Sequence, residues 1–365
     1  MRRNRKPPLH ARKPGRICIH MSQTPPTLHL VLPGLLWPAQ AMQDLVFDLK
    51  LPALSWLLGK GTRQIQAAAD SQQWLAGVAG LSRLPVAALR SSALGHAQTG
   101  RWLCLDPIHL RVERTQLIVQ DPATLQLTQE EAVALLADLA PLLEEVGTLQ
   151  IATPHEWLLH LHAESDIRTT PLADAIGLNG DQLMPKAANV KVWRRLLNEI
   201  QVTLHEHPAN LARTVRGLPA VNSLWPWGEG ALESTKPAWN AILADGLLWQ
   251  GLARHVGCPS APEPERYSDY KGKTLVVLAT LDATTRQRNA VQWLADMQAL
   301  EQLWFAPIMQ ALQDGSLKQL ELHSHGEGQA MTLAVSGSNK LNFWRKPAPL
   351  TLLGVGEKVS TKDPA

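Results

Sequence analysis

The residues best suited to bind an anion lie in one short stretch of the chain, residues 196–230. The side chains concerned are His207, Asn210, Arg213, Arg216 and Asn222. A guanidinium group presents a planar fork of donors that fits phosphate or carboxylate oxygens. Histidine, asparagine and backbone N–H groups can complete such a cradle. We therefore predict that this stretch binds an anionic ligand.

Two further arginines, Arg111 and Arg114, are predicted to add to this anion pocket. Asp106 and His109 lie close to them in sequence. Two such residues do not make a metal site, so we interpret them as part of a structural ion cluster between domains. The alternative for the whole stretch is a helix with a solvated polar end, followed by a buried strand rich in tryptophan.

Side chains that could act in catalysis or hold a metal are sparse. Ser91 and Ser92 offer hydroxyls, and His96 is the nearby base that could activate one of them. Asp282, His323 and His325, with Glu327 as a further candidate, are the predicted ligands of a divalent metal such as Mn²⁺ or Zn²⁺. We expect no cofactor, and keep the metal as the alternative.

Alternating apolar strands and helices indicate an α/β fold, a parallel or mixed sheet with helices on both faces. The predicted strands cover 28–36, 273–281, 318–323 and 340–345. The predicted helices cover 51–61, 127–145, 238–257 and 292–313, with a further one from Asn189 that Pro208 ends or kinks. Thr128 and Glu131 have the spacing of a capping box. Sites in such folds lie at the carboxyl ends of the strands, where Pro33-Gly34, Asp282 and His323 should meet.

Charge is unevenly distributed along the 365 residues. Residues 1–20 hold seven Lys and Arg and no acid, whereas residues 21–365 hold 28 Lys and Arg against 32 Asp and Glu. A mildly acidic body argues against a nucleic-acid-binding face. The basic segment is either a tail or an upstream extension of a protein that starts at Met21.

The cysteine and hydropathy patterns predict a cytoplasmic protein. Three widely spaced cysteines, Cys18, Cys104 and Cys258, are typical of reduced thiols. The sequence has no signal-peptide pattern and no apolar run long enough to cross a membrane. We therefore expect no membrane association.

Three motifs in the same stretch follow one another in a recognisable order. They are H-P-x-N-x-x-R from His207, G-x-P-x-x-N from Gly217 and W-x-W-G-x-G from Trp225. This order resembles the archaeal-type cofactor-independent phosphoglycerate mutases of the alkaline-phosphatase superfamily. The chain as a whole resembles the RpfE-type bacterial regulatory proteins, which look like divergent relatives of that mutase.

The resemblance implies an alkaline-phosphatase-like three-layer sandwich with a smaller inserted α/β domain. The core would comprise residues 27–105 and 223–350 and the insert residues 106–222, between a disordered basic tail (1–26) and a C-terminal tail (351–365). It also implies a nucleophile near residues 89–100 and metal ligands at strand ends. Here Pro33-Gly34 replaces the first-strand aspartate, and Ser324 replaces the aspartate of an Asp-His-Gly motif.

An anion pocket without a complete metal site predicts a regulatory protein that binds a phosphorylated small molecule and does not turn it over. One alternative is an active phosphoglycerate mutase or phosphatase with relocated metal ligands. Another is a scaffold that binds a protein partner through some of its 13 tryptophans.

Overall fold

The structure is a computed structural model, and it describes residues 25–68, 70–96, 100–163, 167–183, 185–186, 190–234, 236–326, 328–338 and 344–356. The predicted basic tail, most of the C-terminal tail, Glu327 and most of the predicted strand 340–345 lie outside these ranges. None of the described helices is both long and apolar enough to cross a membrane.

The strands, in chain order, are β1 Thr27–Val31, β2 Trp37–Pro38, β3 Thr62–Ala67, β4 Arg101–Ile108, β5 Leu110–Glu113, β6 Gln116–Val119, β7 Gly147–Thr153, β8 Glu156–Leu161, β9 Ser223–Gly230, β10 Ala241–Leu243, β11 Ser260–Ala261, β12 Lys273–Val277, β13 Gln319–Gly326, β14 Gln329–Ser336 and β15 Gly354–Val355. The helices are α1 Ala39–Leu45, α2 Pro52–Lys60, α3 Ser71–Ala79, α4 Val86–Ala93, α5 Gln129–Leu143, α6 Leu172–Ala175, α7 Val190–His205, α8 Pro208–Val215, α9 Leu247–Val256, α10 Asp282–Arg286, α11 Ala290–Leu300 and α12 Ala306–Asp314.

The large sheet is mixed, with strand order β11-β10-β12-β1-β13-β14-β3. From β11 to β13 its neighbouring strands are parallel, while β14 runs antiparallel to both β13 and β3. Leu28 and Leu30 of β1 face a core that includes α2, α11 and α12. Val31 faces the opposite core, which includes α3, α4 and α9. The predicted sandwich, with helices on both faces of an α/β sheet, is confirmed.

A second, antiparallel sheet has the order β7-β8-β4-β9 and packs against α5 and α7. This is the smaller α/β unit that the sequence predicts inside the core. Strand β4 starts before residue 106 and strand β9 lies after residue 222, so this sheet extends past both predicted boundaries. Trp102 and Leu158 of this sheet reach the core of α3, α4 and α9, so the two sheets share apolar packing.

Local sequence signals account for several helix ends. Pro52 occupies the first turn of α2, where its missing N–H costs nothing. The buried carboxylate of Glu301 accepts the N–H groups of Ala53 and Leu54 at 2.6 and 3.1 Å. Thr128 and Glu131 form the predicted capping box of α5. These contacts satisfy backbone donors that no helical hydrogen bond can reach.

Three features of the structure differ from the prediction, and pairing between distant segments explains two of them. Residues 241–243 form β10, which pairs with β12, so the predicted helix 238–257 starts only at Leu247. Strand β14, which pairs with β13 and β3, has no counterpart in the prediction. A π-helical turn, Glu301–Phe305, divides the predicted helix 292–313. Helix α7 ends at His205, just before Pro208 as predicted, and Pro208 then starts α8.

Candidate functional site

The end of β1 is where the resemblance implies a metal-binding aspartate. The chain turns there at Gly34, whose φ is +81°. Its carbonyl accepts hydrogen bonds from Trp293 Nε1 at 2.9 Å and from Thr285 Oγ1 at 2.7 Å. A Cβ at Gly34 would overlap the carbonyl oxygen of Leu281 and lie 2.7 Å from its carbonyl carbon. This strand end is therefore filled by the protein itself.

Among the described residues, the three predicted metal ligands do not form a group with all donor atoms within 4.8 Å, although His325 is close enough to Asp282 to affect its pKa. Asp282 is the first residue of α10 and pairs with Arg286 at 2.7 Å. Burial raises the pKa of Asp282, although Arg286 opposes the shift. His325 packs against the Trp74 ring, with 5.5 Å between ring centroids. His323 faces His29 instead, at 3.3 Å between His29 Nδ1 and His323 Nε2.

The predicted catalytic hydroxyls lie inside the protein. Ser91 and Ser92 belong to α4, and both side chains are buried. Among the described residues, neither hydroxyl has a hydrogen-bond partner. His96 is exposed and stacks on Trp102, with 5.8 Å between ring centroids. Neither serine is therefore paired with a base that could make it a nucleophile.

Arg213, the central arginine of the predicted anion pocket, donates a hydrogen bond within the protein from each of its guanidinium nitrogens. Arg213 is 0% exposed. Its Nε donates to Pro219 O at 2.9 Å, Nη1 donates to Glu131 Oε2 at 2.5 Å, and Nη2 donates to Leu125 O. Arg216 donates to the other oxygen of Glu131. These bonds join α8 to the start of α5.

The asparagines and the histidine of the predicted pocket also hold backbone segments together. Asn210 donates to Leu204 O and Val221 O, at 2.8 and 2.7 Å, and accepts from Val221 N at 2.9 Å. Asn222 exchanges two hydrogen bonds with the backbone of Leu110. His207 accepts from Ala209 N at 3.1 Å as the N-cap of α8. These polar side chains therefore stabilise the local backbone.

Arg111 and Arg114 lie on the hairpin of β5 and β6. The exposed Arg111 pairs with Glu113 on the same strand. Arg114 is in the turn, with φ +55°. Within the described residues, neither side chain is hydrogen-bonded to Arg213, so ligand binding by these seven residues stays a prediction. The packing of the insert already accounts for Arg213 and Asn210.

Asp106 lies in a buried ion cluster, but not with the neighbours that the sequence suggests, since His109 lies 2.8 Å from Ala220 O and Arg111 pairs with Glu113. It pairs with Arg90 at 2.9 Å and accepts from Trp227 Nε1 at 2.7 Å and Trp157 N at 3.0 Å. Arg90 also pairs with Glu156 at 2.9 Å. Burial alone would lower the pKa of Arg90, but Asp106 and its neighbours raise it overall. The cluster joins α4 to the small sheet through one guanidinium group that lies between two carboxyl groups.

A polar cleft opens between the two sheets' elements and has a volume of about 220 Å³. We call it the α3–β9 cleft. It is bordered by the start of α3, the loop before α4, the loop before α6 and the end of β9. Its charged lining residues are Asp70, Arg83, Arg168 and Glu229. A hydrogen bond of 3.0 Å from Ser71 N to Asp174 ties α3 to α6 beside it.

The charges of the α3–β9 cleft leave its arginines available. Glu229 pairs with Arg101 at 2.6 Å, and Asp70 caps α3 by accepting from Gln73 N at 2.5 Å. Both acids are thus engaged within the protein. Across the described ranges, Arg83 and Arg168 have no ion-pair partner, and both side chains are exposed. Two unpaired guanidinium groups can bind a phosphate or carboxylate group.

Sequence reasoning missed Arg83 and Arg168 because each lies in an irregular loop, within S-R-L-P and I-R-T-T-P. The two loops are 85 positions apart, and nothing local indicates that they face one cleft. The proline after each arginine marks a loop, and that is the one available signal.

Sequence comparisons place the chain near one group of enzymes. A segment of 127 residues is 27% identical to the 2,3-bisphosphoglycerate-independent phosphoglycerate mutase of Methanosarcina acetivorans and covers 32% of each protein. A segment of 71 residues is 34% identical to the protein of that name from Methanosarcina mazei, covering 20% of this chain and 17% of the relative. The matches thus span a third or less of either relative. No family model matches the chain.

Comparison of folds extends over more of the chain. The structure of the PH0037 protein from Pyrococcus horikoshii aligns with 86% of this chain and 88% of its own, at 13% identity and a TM-score of 0.51. A cofactor-independent phosphoglycerate mutase from Thermoplasma acidophilum gives a TM-score of 0.40 at 16% identity. The chain is weakly homologous to archaeal-type cofactor-independent phosphoglycerate mutases over a third or less of its length, and its overall fold is similar to that of the PH0037 protein.

Proposed function

We propose that this protein binds a phosphorylated small molecule in the α3–β9 cleft and does not transfer its phosphoryl group. Its role would then be regulatory, in the manner of the RpfE-type proteins that the sequence resembles. The free thiols Cys104 and Cys258 support a cytosolic setting for such a role.

The observation that carries this proposal is the filled end of β1. Metal-assisted phosphoryl transfer needs ligands that hold cations against the phosphate. Backbone atoms of Leu281 occupy the space that a side chain at Gly34 would need. The buried Ser91 and Ser92 offer no activated hydroxyl in compensation. The filled strand end and the buried serines therefore support binding without phosphoryl transfer.

Binding is supported by the arginines of the cleft. Arg83 and Arg168 come from opposite borders, one before α4 and the other before α6. A phosphate ester between them would replace solvent around two guanidinium groups with charge-assisted hydrogen bonds. The cleft volume of about 220 Å³ suits a small molecule and not a polymer.

The scaffold alternative has less support. Of the 13 tryptophans, all described, only Trp344 is exposed, at 66%. A docking surface built from several tryptophans would need a patch of exposed indole rings. The buried rings instead form the cores on both sides of the large sheet.

A thermal-shift titration with a paired activity assay tests the proposal. We expect 3-phosphoglycerate to raise the melting temperature without added metal, because a ligand that binds the native state alone stabilises it. We expect no conversion of 3-phosphoglycerate to 2-phosphoglycerate, with or without Mn²⁺. Turnover that needs Mn²⁺ would establish the active-mutase alternative, and the absence of any shift would refute ligand binding.

A further inference from the structure

Three metal-ligand side chains meet on the large sheet, away from the filled end of β1. His29 Nδ1 lies 3.3 Å from Glu321 Oε2 and 3.3 Å from His323 Nε2, and His323 Nε2 lies 3.6 Å from Glu321 Oε2. In the described part of the chain, these form the one group of three ligand-type residues whose donor atoms all lie within 4.8 Å. Of the predicted metal ligands, it contains only His323.

The strands themselves set this geometry. β1 and β13 are adjacent and parallel, with His29 opposite Glu321 and Val31 opposite His323. Side chains two positions apart on a strand point to the same face, so Glu321 and His323 both lie beside His29. Leu28, Leu30, Leu320 and Leu322 alternate with them and fill the other core. The three donors are therefore positioned by the centre of a sheet and not by a loop.

The distances match those that zinc imposes on its ligands. Zn²⁺ binds histidine nitrogen and carboxylate oxygen at about 2.0–2.1 Å in tetrahedral geometry. Two ligands of a regular tetrahedron at that bond length are about 3.3–3.4 Å apart. The three separations found here are 3.3, 3.3 and 3.6 Å. We propose that His29, Glu321 and His323 form a three-ligand site for a divalent transition-metal ion of the zinc type.

Neighbouring groups orient the two imidazoles for this role. Thr332 lies directly opposite His323 on β14, with 3.2 Å between its Oγ1 and His323 Nδ1. A proton on Nδ1 leaves Nε2 as the lone-pair nitrogen that faces the other ligands. The edge of His29 meets the Trp239 ring, at 5.0 Å between centroids. The two imidazole rings are nearly parallel, at 9° and 5.5 Å between centroids, so their facing nitrogens would bind one ion after a small rotation of the rings toward Glu321.

Charge around the site favours neutral histidines and makes the carboxylate essential. Burial, followed by the nearby Lys273, lowers the pKa of His29 to about 3 and that of His323 to about 4. Neutral imidazole is the form that binds metal. The Lys273 ammonium group lies 4.1 Å from the centre of the Trp239 ring and opposes a dication. Glu321 supplies the compensating negative charge.

The same three side chains can also form hydrogen bonds without a metal ion, and the experiment must distinguish this arrangement from metal binding. In the metal-free arrangement, a proton on His29 Nδ1 is shared by Glu321 and His323. A metal ion on His29 Nδ1 would move that proton to Nε2 of the same ring, so the histidine would stay neutral and no net proton would be released. Glu321 keeps 27% of its side chain exposed, so an ion can enter at its side and a water molecule can complete the coordination.

Metal titration of the chelator-treated full chain tests this site. We expect isothermal titration calorimetry to show one Zn²⁺ per chain, with the same heat in buffers of different ionisation enthalpy, because no net proton is released. We expect Co²⁺ to give the visible absorption of tetrahedral nitrogen and oxygen ligation, without the charge-transfer band that a thiolate such as Cys258 would add. A folded wild-type protein that binds neither ion would overturn the proposal.

Matched variants locate the ion. Glu321→Gln keeps the shape of a half-exposed side chain, so it should fold and bind Zn²⁺ at least ~10-fold more weakly. His323→Gln should behave likewise if it folds. His255→Gln is the control, because His255 is also buried but lies on α9, away from the site. Zn²⁺ affinity that is unchanged in Glu321→Gln would also overturn the proposal.

Discussion

Two groups of arginines in this protein differ in whether the fold supplies their partners. Arg213 is buried, and two backbone carbonyls and Glu131 accept from its guanidinium group. Arg83 and Arg168 border the α3–β9 cleft without an ion-pair partner in the described residues. The first group has the more suggestive sequence motif, yet the second has the free donors. Availability of partners therefore separates structural arginines from candidate ligand-binding ones better than residue type and spacing do.

Replacing Arg213 should give the largest loss of stability. Arg213→Ala removes a fully buried guanidinium group and leaves the carbonyls of Leu125 and Pro219 without this donor, while Glu131 keeps its bonds from Arg216 and Thr128 N. We expect the free energy of unfolding to fall by about 2–4 kcal/mol, measured by urea denaturation. Arg216→Ala removes a half-exposed arginine from the same Glu131 and should cost less than ~1 kcal/mol. Equal losses of unfolding free energy in Arg213→Ala and Arg216→Ala would contradict the distinction between a buried and a half-exposed arginine.

The filled end of β1 is a second place where the fold supplies its own partners. Gly34→Ala places a methyl group against the carbonyl of Leu281 and requires φ +81° from an L-residue. We expect a loss of about 3 kcal/mol in the free energy of unfolding. Gly77→Ala is the control, because it is helical with nothing within 4 Å, and it should be neutral or slightly stabilising. A stable Gly34→Ala protein would show that the strand end has room for a side chain.

His255 shows how burial acts on a titratable group. Burial, followed by Lys236, lowers the pKa of His255, although the charge and the backbone of Glu233 oppose the shift. The unfolded chain therefore binds this proton more readily, so stability is full above about pH 6.5 and declines as the pH falls. We expect His255→Leu to flatten the curve of unfolding free energy against pH by up to ~1.4 kcal/mol per unit below pH 6.5.

The exposed His205 provides the control for that measurement. His205→Leu should leave the slope of stability against pH as it is in the wild type. If the two variants changed the slope equally, burial of His255 would not be the cause.

Ser91 and Thr128 test, with neutral hydroxyl groups, the contrast between side chains with and without a partner in the described residues. Its hydroxyl is buried without a hydrogen bond, so Ser91→Ala removes a desolvation cost and should leave stability unchanged or raise it by about 1 kcal/mol. Thr128→Ala, which removes a hydroxyl that caps α5, should lower it by about 1 kcal/mol. Differential scanning calorimetry measures both. A clear loss for Ser91→Ala would mean that its hydroxyl has a partner.

Local patterns predicted the parts of the fold that local physics determines. The apolar runs of β1, β12 and β13, the capping box at Thr128 and the proline at the start of α2 all predicted elements that the structure contains. Strand β10 could not be predicted, because its three residues become a strand only by pairing with β12. The sequence predicts Asn210 as a ligand-binding residue for a similar reason. Its hydrogen bonds to the backbone of Leu204 and Val221 form only when the chain packs.

The candidate sites were harder to predict than the fold. Arg83 and Arg168 converge from loops that nothing in the sequence connects. His29 lies in an apolar strand, where its alternation with Leu28 and Leu30 places it on the opposite face, beside Glu321. The register that brings them together depends on the order of strands in the sheet. His323 was predicted as a metal ligand, but with partners that the structure places elsewhere.

The binding of 3-phosphoglycerate to paired arginine variants tests the central claim most directly. In the double variant Arg83→Gln and Arg168→Gln, we expect unfolding without ligand to match the wild type, because surface substitutions change stability by about 0.5 kcal/mol or less. Stabilisation by the ligand, about 2.7 kcal/mol at a concentration of 100 Kd for the wild type, should disappear. Arg111→Gln should retain it. Stabilisation that survives in the double variant but is lost in Arg111→Gln would place the ligand at the hairpin and contradict the account.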